Sequence, residues 1–375
     1  MRAPKSRIRS FLPAILALAL AAGAGAQSPP VIKIPVCLLG EDGKPEADLP
    51  GLDFRVIQGE TVLHRTHYWG PESPVLIVLA LDTTGNLTWI DTLRNELAAF
   101  VAGLPPNVQI MVVTVNDGIR VVQNNTRDPK LLTDAVRNYD ITGRPGFLEN
   151  LESLQEKSDR IFERFPMRVA TLFVTDSDIY GYRRRFSSSD FTTEVERIKT
   201  RLQGFYAPIY VLRLPSEAAQ AQVLRGSTAA DGSPIDSSAV ESANRSRQEI
   251  TGETVDTAPG AETNNEIKAR ISSRDQGDEA KMRRTYEGAI LEIARETGGD
   301  AAFPLSLSGV SSSLAELLRR IHATCVLGCD ARALSPGKPY TLEIQAVPAA
   351  GAEGGPPAPS VRLDYKKRVR LAAAQ

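Results

Sequence analysis

A run of oxygen-bearing side chains, Asp82-Thr83-Thr84-Gly85-Asn86, follows the apolar residues 75–81. Its carboxylate, hydroxyl and amide groups offer only oxygen ligands, which hard divalent cations prefer. The unbroken apolar run before it is typical of a strand that is buried on both faces of a parallel sheet. Because ligands in open α/β sheets bind outside the carboxyl ends of the strands, this loop is the first candidate for a functional site.

Segments with strand-like and helix-like patterns alternate around this loop. Buried-type strand patterns occupy residues 75–81, 108–115, 169–175 and 208–212. Apolar residues recur at helical spacing in 90–104, 128–140, 148–162, 191–202, 286–294 and 314–321. This alternation predicts an α/β fold with a doubly wound, mostly parallel sheet and helices on both faces. Shorter strand patterns, broken by Gly and Asp turns, predict antiparallel β-elements that flank this sheet.

The loop at Asp82 resembles the Asp-x-Ser-x-Ser loop of the von Willebrand factor type A family, which holds a divalent metal ion. Residues 169–175, followed by Asp176, are similar to the later strand of that family, which ends in Thr-Asp. The resemblance extends to bacterial secreted members of the family, which carry additional strands on either side. It implies a doubly wound fold, a protein partner and a metal ion, with Mg²⁺ as the best candidate. The implied ligands are Asp82, Thr84, Asn86 and Asp176.

Two positions depart from the metal-binding pattern of the family. Asn86 offers an amide oxygen in place of a Ser hydroxyl. Gly146 stands where the middle loop of the family has a ligand Thr, and Thr142 lies four residues too early. Arg144 would bring a cationic side chain to the place where a metal ion is needed. The predicted metal site is therefore degenerate, and the alternative is that Arg144 or backbone donors compensate Asp82 without any ion.

Residues 1–26 have the pattern of a secretory signal peptide. Basic residues precede an apolar run, and Ala24-Gly25-Ala26 provides an A-x-A cleavage site before Gln27. We therefore expect a secreted or periplasmic protein without an integral membrane segment after cleavage. The predicted organisation is a signal peptide at 1–26, an N-terminal β-element at 27–72, a von Willebrand factor type A domain at 73–323 and C-terminal β-strands at 324–375. Residues 216–280 interrupt the domain as a predicted loop or disordered insertion, because they are polar and lack periodicity.

Charge and cysteine content limit the remaining possibilities. Without the four basic residues of the leader, 40 Lys and Arg face 45 Asp and Glu, so the mature chain carries a net charge of −5. This balance gives no reason to expect nucleic acid as a partner. The basic residues of 362–370 alternate with apolar ones, as on the solvent face of a strand. Cys37, Cys325 and Cys329 are predicted to be buried thiols, and a Cys325–Cys329 disulfide is the alternative.

The sequence favours recognition over catalysis. It contains no G-x-S-x-G, H-E-x-x-H, G-x-x-x-x-G-K or G-x-G-x-x-G motif. We predict that the chain is not an enzyme and that it binds a protein, of unknown identity, through the loops at the strand ends. A metal-independent structural scaffold of the cell envelope is the second hypothesis. A hydrolase that uses the loop acids is the third.

Overall fold

The computed structural model describes residues 31–47, 52–83, 90–142, 146–165, 167–176, 188–215, 284–348 and 362–370. The predicted signal peptide, the whole predicted insertion, Thr84, Asn86 and Arg144 lie outside these residues. The strands are β1 (Val31–Leu39), β2 (Leu52–Gln58), β3 (Thr61–Leu63), β4 (Arg65–Trp69), β5 (Val75–Asp82), β6 (Val108–Thr114), β7 (Arg120–Thr126), β8 (Arg168–Thr175), β9 (Ile209–Arg213), β10 (Asp300–Ala302), β11 (Thr324–Asp330), β12 (Pro339–Thr341), β13 (Glu343–Pro348), β14 (Arg362–Tyr365) and β15 (Arg368–Arg370). The α-helices are α1 (Ile90–Ala102), α2 (Pro129–Asn138), α3 (Phe147–Arg164), α4 (Ser188–Leu202), α5 (residues 284–296) and α6 (Val310–Ala323), and Leu307–Gly309 form a 3₁₀ turn.

A six-stranded sheet with the order β10-β9-β8-β5-β6-β7 forms the centre of the molecule. Its strands run parallel except β7, which pairs with β6 in the antiparallel direction. Strand β5 lies between β6 and β8, and all eight of its residues are buried. The order reverses on either side of β5, as in doubly wound sheets, so the predicted fold class is confirmed.

Among the described residues, three helices cover each face of this sheet. Helices α1, α2 and α6 pack on one face through Leu97, Leu132 and Leu317. Helices α3, α4 and α5 pack on the other through residues such as Leu151 and Ile198. The apolar side chains of β5 alternate between the two clusters, because successive residues of a strand point to opposite faces. This double burial explains why the sequence of β5 is apolar throughout.

The flanking strands combine the two ends of the chain. A four-stranded sheet has the order β14-β1-β11-β4, and two further sheets have the orders β13-β2-β3 and β12-β15. Strand β1 pairs in the antiparallel direction with both β11 and β14. The flanking antiparallel elements are therefore confirmed, but the N-terminal and C-terminal strands form shared sheets and not two separate elements.

Arg168 connects the four-stranded sheet to the amino-terminal end of the central sheet. It is the first residue of β8 and is buried. Its guanidinium donates to the carbonyl oxygens of Thr324 at 2.6 Å, His322 at 3.0 Å and Ser73 at 3.0 Å. Since Thr324 begins β11, these contacts place the extra sheet beside the starts of the central strands. The opposite end of the central sheet, where its parallel strands finish, carries the candidate site.

The basic segment 362–370 differs from its prediction. It is split into β14 and β15, which belong to different sheets, and Lys366 between them is fully buried. The Lys366 Nζ donates to the carbonyl oxygens of Leu202 and Phe205, at 2.9 Å and 2.5 Å. The prediction that this segment presents its basic side chains to solvent is therefore wrong at Lys366, because the carbonyls at the end of α4 attract the ammonium group.

The three cysteines are buried free thiols, as predicted. Cys325 and Cys329 lie four residues apart on the extended strand β11, which places their Cα atoms about 13 Å apart. A disulfide requires Cα atoms within about 7 Å, so this strand geometry excludes the bridge. Among the residues described, no helix has the length and apolarity needed to span a bilayer.

Candidate functional site

Polar residues end three neighbouring parallel strands at the same level of the sheet. In the strand register, Asp82 of β5 lies beside Thr175 of β8, and Thr175 lies beside Arg213 of β9. Asp176 follows Thr175, and its backbone N–H donates to the Asp82 carbonyl oxygen at 3.1 Å. We call the surface formed by the carboxyl ends of β5, β6, β8 and β9 the strand-end face.

The Asp82 side chain has no solvent exposure and two donors from the protein. Its Oδ1 accepts a hydrogen bond from the Gly146 backbone N–H at 2.7 Å. Its Oδ2 accepts one from the Thr175 hydroxyl, also at 2.7 Å. Each carboxylate oxygen therefore has its own donor, which is the compensation that a buried carboxyl group requires.

Burial raises the pKa of Asp82 to about 7. The hydrogen bonds from Gly146 and Thr175 act in the opposite direction, because they favour the charged form. The negative charge of Asp176 adds a smaller upward shift. With a pKa of about 7, the Asp82 carboxyl group is only partly ionised near neutral pH.

Gly146 approaches Asp82 because the start of α3 is packed tightly. Gly146 is the residue before the helix, and it lies against the Asn150 side chain. A Cβ atom at position 146 would overlap with Asn150 Nδ2. That amide group donates to the carbonyl oxygens of Val115, at 2.8 Å, and Gly146, at 2.9 Å. Asn150 thereby holds the end of β6 and the start of α3 together.

A second pair of buried groups fixes the segment before α3. The Thr83 hydroxyl and the Tyr139 hydroxyl lie 2.8 Å apart and share a hydrogen bond. The Asn116 side chain donates to the Thr83 carbonyl oxygen at 2.8 Å. Arg94 lies over the Tyr139 ring and donates to the Tyr139 carbonyl oxygen. Residues after β5, β6 and α2 are thus held to one another beneath the strand-end face.

An ion pair lies at the β9 end of the same row. Arg213 Nη1 is 2.6 Å from Glu287 Oε1 on α5, and the guanidinium also lies near the Tyr286 ring. The Arg213 side chain is largely buried, with 8% exposure. This contact joins α5 to the strand ends.

The structure brings together only part of the predicted metal site. Asp82 and Asp176 lie at the ends of adjacent strands, whereas Thr84 and Asn86 are outside the described residues. Thr142 is exposed, and its hydroxyl donates to Asp140 Oδ1 at 2.6 Å. Within the described ranges, no three His, Cys, Asp or Glu side chains form a cluster that could hold a metal ion. The donor set around Asp82 fits a hydrogen-bonded carboxyl group better than a metal ligand.

The hydrogen-bonding roles of four residues of the site were not predicted from the sequence: Thr83, Asn116, Tyr139 and Thr175. Thr175 had a signal, because it belongs to the Thr-Asp pair that ends β8. Gly146 is predicted only as the position of a missing hydroxyl ligand, and the alternative that backbone donors compensate Asp82 does not specify its N–H. Tyr139 and Asn116 carry no local signal, since only the folded chain brings them to Thr83.

Comparison with known proteins gives distant structural similarities. No family model and no curated protein sequence matches the chain. The vWF domain of the type V pili tip protein Mfa5 from Porphyromonas gingivalis is 15% identical, with a TM-score of 0.24, over 28% of this chain and 38% of that one. A von Willebrand factor type A protein from Catenulispora acidiphila is 11% identical, with a TM-score of 0.39, over 87% of this chain and 75% of that one. BatB from Bacteroides thetaiotaomicron is 12% identical, with a TM-score of 0.33, over 66% of this chain and 99% of that one.

The fold is defined by the central sheet itself. The sheet is doubly wound about β5, its edge strand β7 is antiparallel, and helices cover both faces. Strand β5 ends in Asp82, and the adjacent β8 ends in Thr175-Asp176, as the sequence resemblance implies. The described residues therefore form a doubly wound α/β domain with the sheet and the strand ends that the resemblance to the von Willebrand factor type A family implies.

Proposed function

We propose that the protein is exported and binds a protein partner through its strand-end face. The observation that carries this proposal is the buried network beneath that face, in which Asp82, Gly146, Thr175, Thr83 and Tyr139 hold the ends of several elements in one arrangement. A rigid scaffold below surface segments is the usual architecture of a recognition site. Export rests on the leader-like residues 1–26, and the mature N-terminus is expected at Gln27.

The connections of the central sheet differ between its two ends. At the amino-terminal end of the strands, the connections are short: 103–107, 165–167, 203–208 and 297–299. The segments that follow the carboxyl ends of β5, β8 and β9 are longer: 83–89, 176–187 and 214–283. In doubly wound sheets, ligands bind at the carboxyl ends of the strands. The longer connecting segments therefore follow the carboxyl ends of the strands, where doubly wound folds bind their ligands.

The geometry also supports the proposal that the chain is not an enzyme. Asp82, one of the loop acids that a hydrolase would use, has no solvent exposure, and its two oxygens accept hydrogen bonds from the protein. A general acid or base must be within hydrogen-bond reach of a substrate. The geometry of Asp82 therefore gives the hydrolase hypothesis no support.

Site-specific photo-crosslinking in the native host tests the proposal. A photoreactive amino acid is placed at Asp117 or Asp140, which are exposed at the strand-end face, and as matched controls at Ala102 or Pro106, which are exposed at the opposite end. We expect a discrete crosslinked partner from the strand-end positions and none from the controls. Crosslinks only from the control positions would contradict recognition through the strand-end face and favour a scaffold that uses another surface. N-terminal sequencing of the same purified protein should begin at Gln27.

A further inference from the structure

We propose that the strand-end face is held in its binding arrangement without a divalent cation, because the Gly146 N–H and the Thr175 hydroxyl take the role that a metal ion would have at Asp82. The inference rests on the proposed function for the assignment of the face. It adds that binding of the partner does not depend on Mg²⁺, Mn²⁺ or chelators.

The donors at Asp82 come from the protein itself. A carboxyl group without solvent exposure must be compensated by an ion, a cationic side chain or hydrogen-bond donors. Here the donors are supplied by two different elements, the start of α3 and the end of β8, at 2.7 Å each. Both distances are typical of strong hydrogen bonds to a carboxyl oxygen. A metal ion at these oxygens would have to compete with both donors.

Position 146 lacks the side chain that a metal site would need there. A residue there with a side-chain hydroxyl would be needed to complete the ligand set that the sequence resemblance implies. Gly146 has no side chain, and the space that a Cβ would need is occupied by Asn150 Nδ2. Asn150 is itself fixed by its bonds to the Val115 and Gly146 carbonyl oxygens. The structure has therefore filled the place of the absent ligand with a hydrogen-bonded amide.

Thr83, the residue next to Asp82, is also held by protein groups. Thr83 follows Asp82 directly and is held by the Tyr139 hydroxyl and by the Asn116 side chain. These bonds connect the end of β5 to the segments after β6 and α2 through protein groups alone. Because these bonds already fix the described residues in one conformation, a cation would have no second conformation to select among them. A ligand shifts a conformational equilibrium only when it binds one conformation more tightly than the other.

Calorimetric titration and thermal melting of the mature protein test this proposal. The probes are MgCl₂ and MnCl₂ added to chelator-treated wild type, with Asp82→Asn and Asp82→Ala as variants. For the wild type we expect no saturable heat and no change in Tm, whereas a cation present at about 100 times its Kd would raise Tm by several degrees. Asp82→Asn should be as stable as the wild type, because its carbonyl oxygen can accept from Gly146 and its amide can donate to the Thr175 oxygen. Asp82→Ala should lower Tm, since it leaves both donors without an acceptor.

Two results would overturn the proposal. One is a saturable heat with an Mg²⁺-dependent or Mn²⁺-dependent rise in Tm that Asp82→Asn abolishes. The other is an Asp82→Asn protein as unstable as Asp82→Ala, which would show that the site needs the negative charge and not the hydrogen-bond acceptors. Neither result affects the photo-crosslinking pattern by itself, so failure of this inference is distinguishable from failure of the proposed recognition face.

Discussion

At the scale of single residues, the site is a set of buried polar groups that satisfy one another. Asp82 is paired with Gly146 and Thr175, and Thr83 is paired with Tyr139 and Asn116. Buried polar groups are costly when unpaired, whereas a complete set of partners makes the local structure unique. The candidate recognition face therefore derives its shape from hydrogen bonds whose loss has a measurable cost.

The Thr83–Tyr139 hydrogen bond provides a residue-scale prediction. Tyr139→Phe and Thr83→Val each leave one buried hydroxyl without this partner and should each lower the free energy of unfolding by about 1–3 kcal/mol. The double variant should lose less than the sum, because it removes both hydroxyls together. Urea denaturation of the four proteins gives the coupling energy, expected at about 0.5–3 kcal/mol. Strictly additive losses would show that the two hydroxyls do not interact.

The sequence predicted the location of the site but not its chemistry. Asp82 is predicted because it ends an apolar strand pattern, and Asp176 because of the resemblance to the von Willebrand factor type A family; the structure places them at the ends of adjacent strands. Backbone donors to Asp82 are one of the alternatives that the sequence leaves open, but a side-chain motif does not show that Gly146 supplies one of them. Tyr139 lies 56 residues from its partner Thr83, and no local pattern encodes that contact.

At the scale of elements, helices and strands with a strong local sequence pattern were predicted correctly, whereas those with a weak pattern were not. Asp128 accepts hydrogen bonds from the backbone N–H groups of Lys130 and Leu131 and caps α2, as the Asp-Pro sequence predicts. Strand β11 lies in the predicted C-terminal β-region at 324–375, but its own bounds were not predicted, because its sequence Thr-Cys-Val-Leu-Gly-Cys-Asp lacks a clear alternation. It becomes a strand through pairing with β1 and β4, which are distant in sequence. Tertiary pairing thus decides what local propensity leaves open.

Gly299 allows an element-scale prediction with a matched control. The turn after α5 lies against the start of β9, and a Cβ at Gly299 would overlap with the Ile209 carbonyl group. Gly299→Ala should therefore lower the free energy of unfolding by about 3 kcal/mol or more, or prevent folding. Gly288 lies within α5, with open space around it, so Gly288→Ala should be neutral or stabilise by up to about 1 kcal/mol. Equal effects of the two substitutions in chemical denaturation would contradict the close approach at Gly299.

At the scale of the whole molecule, buried cations connect the flanking strands to the central domain. Arg168 ties the start of β8 to the end of α6 and the start of β11. Lys366 ties the C-terminal segment to the end of α4, where Asp159 of α3 accepts from the Tyr206 and Ala207 N–H groups. The predicted division into an N-terminal element, a domain and C-terminal strands therefore underestimates how far these parts share one core.

Lys366 gives a prediction for the pH dependence of stability. Burial lowers its pKa from the ordinary value of 10.5 to about 8, although Asp159 and Glu296 act in the opposite direction. The unfolded chain then binds this proton more tightly than the folded chain, so stability rises as pH increases through this range. Between pH 8 and pH 10.5, the unfolding free energy of the wild type should rise relative to that of Lys366→Met, by about 1–3 kcal/mol. Urea denaturation at both ends of the range measures the difference, and parallel curves for the two proteins would contradict the prediction.

The central claim is that hydrogen-bond donors of the protein, and not a cation, hold the Asp82 side chain. Hydrogen exchange at the Gly146 amide tests this claim most directly. The account predicts that, in the wild type with chelator present, this N–H exchanges at least about 100-fold more slowly than in an unstructured peptide, because it is bonded to a buried carboxyl oxygen. Added Mg²⁺ should not change the rate, and Asp82→Ala should raise it while the amides of β5 stay protected. Rapid exchange at Gly146 in the chelated wild type, or protection that is present only with Mg²⁺, would contradict the account.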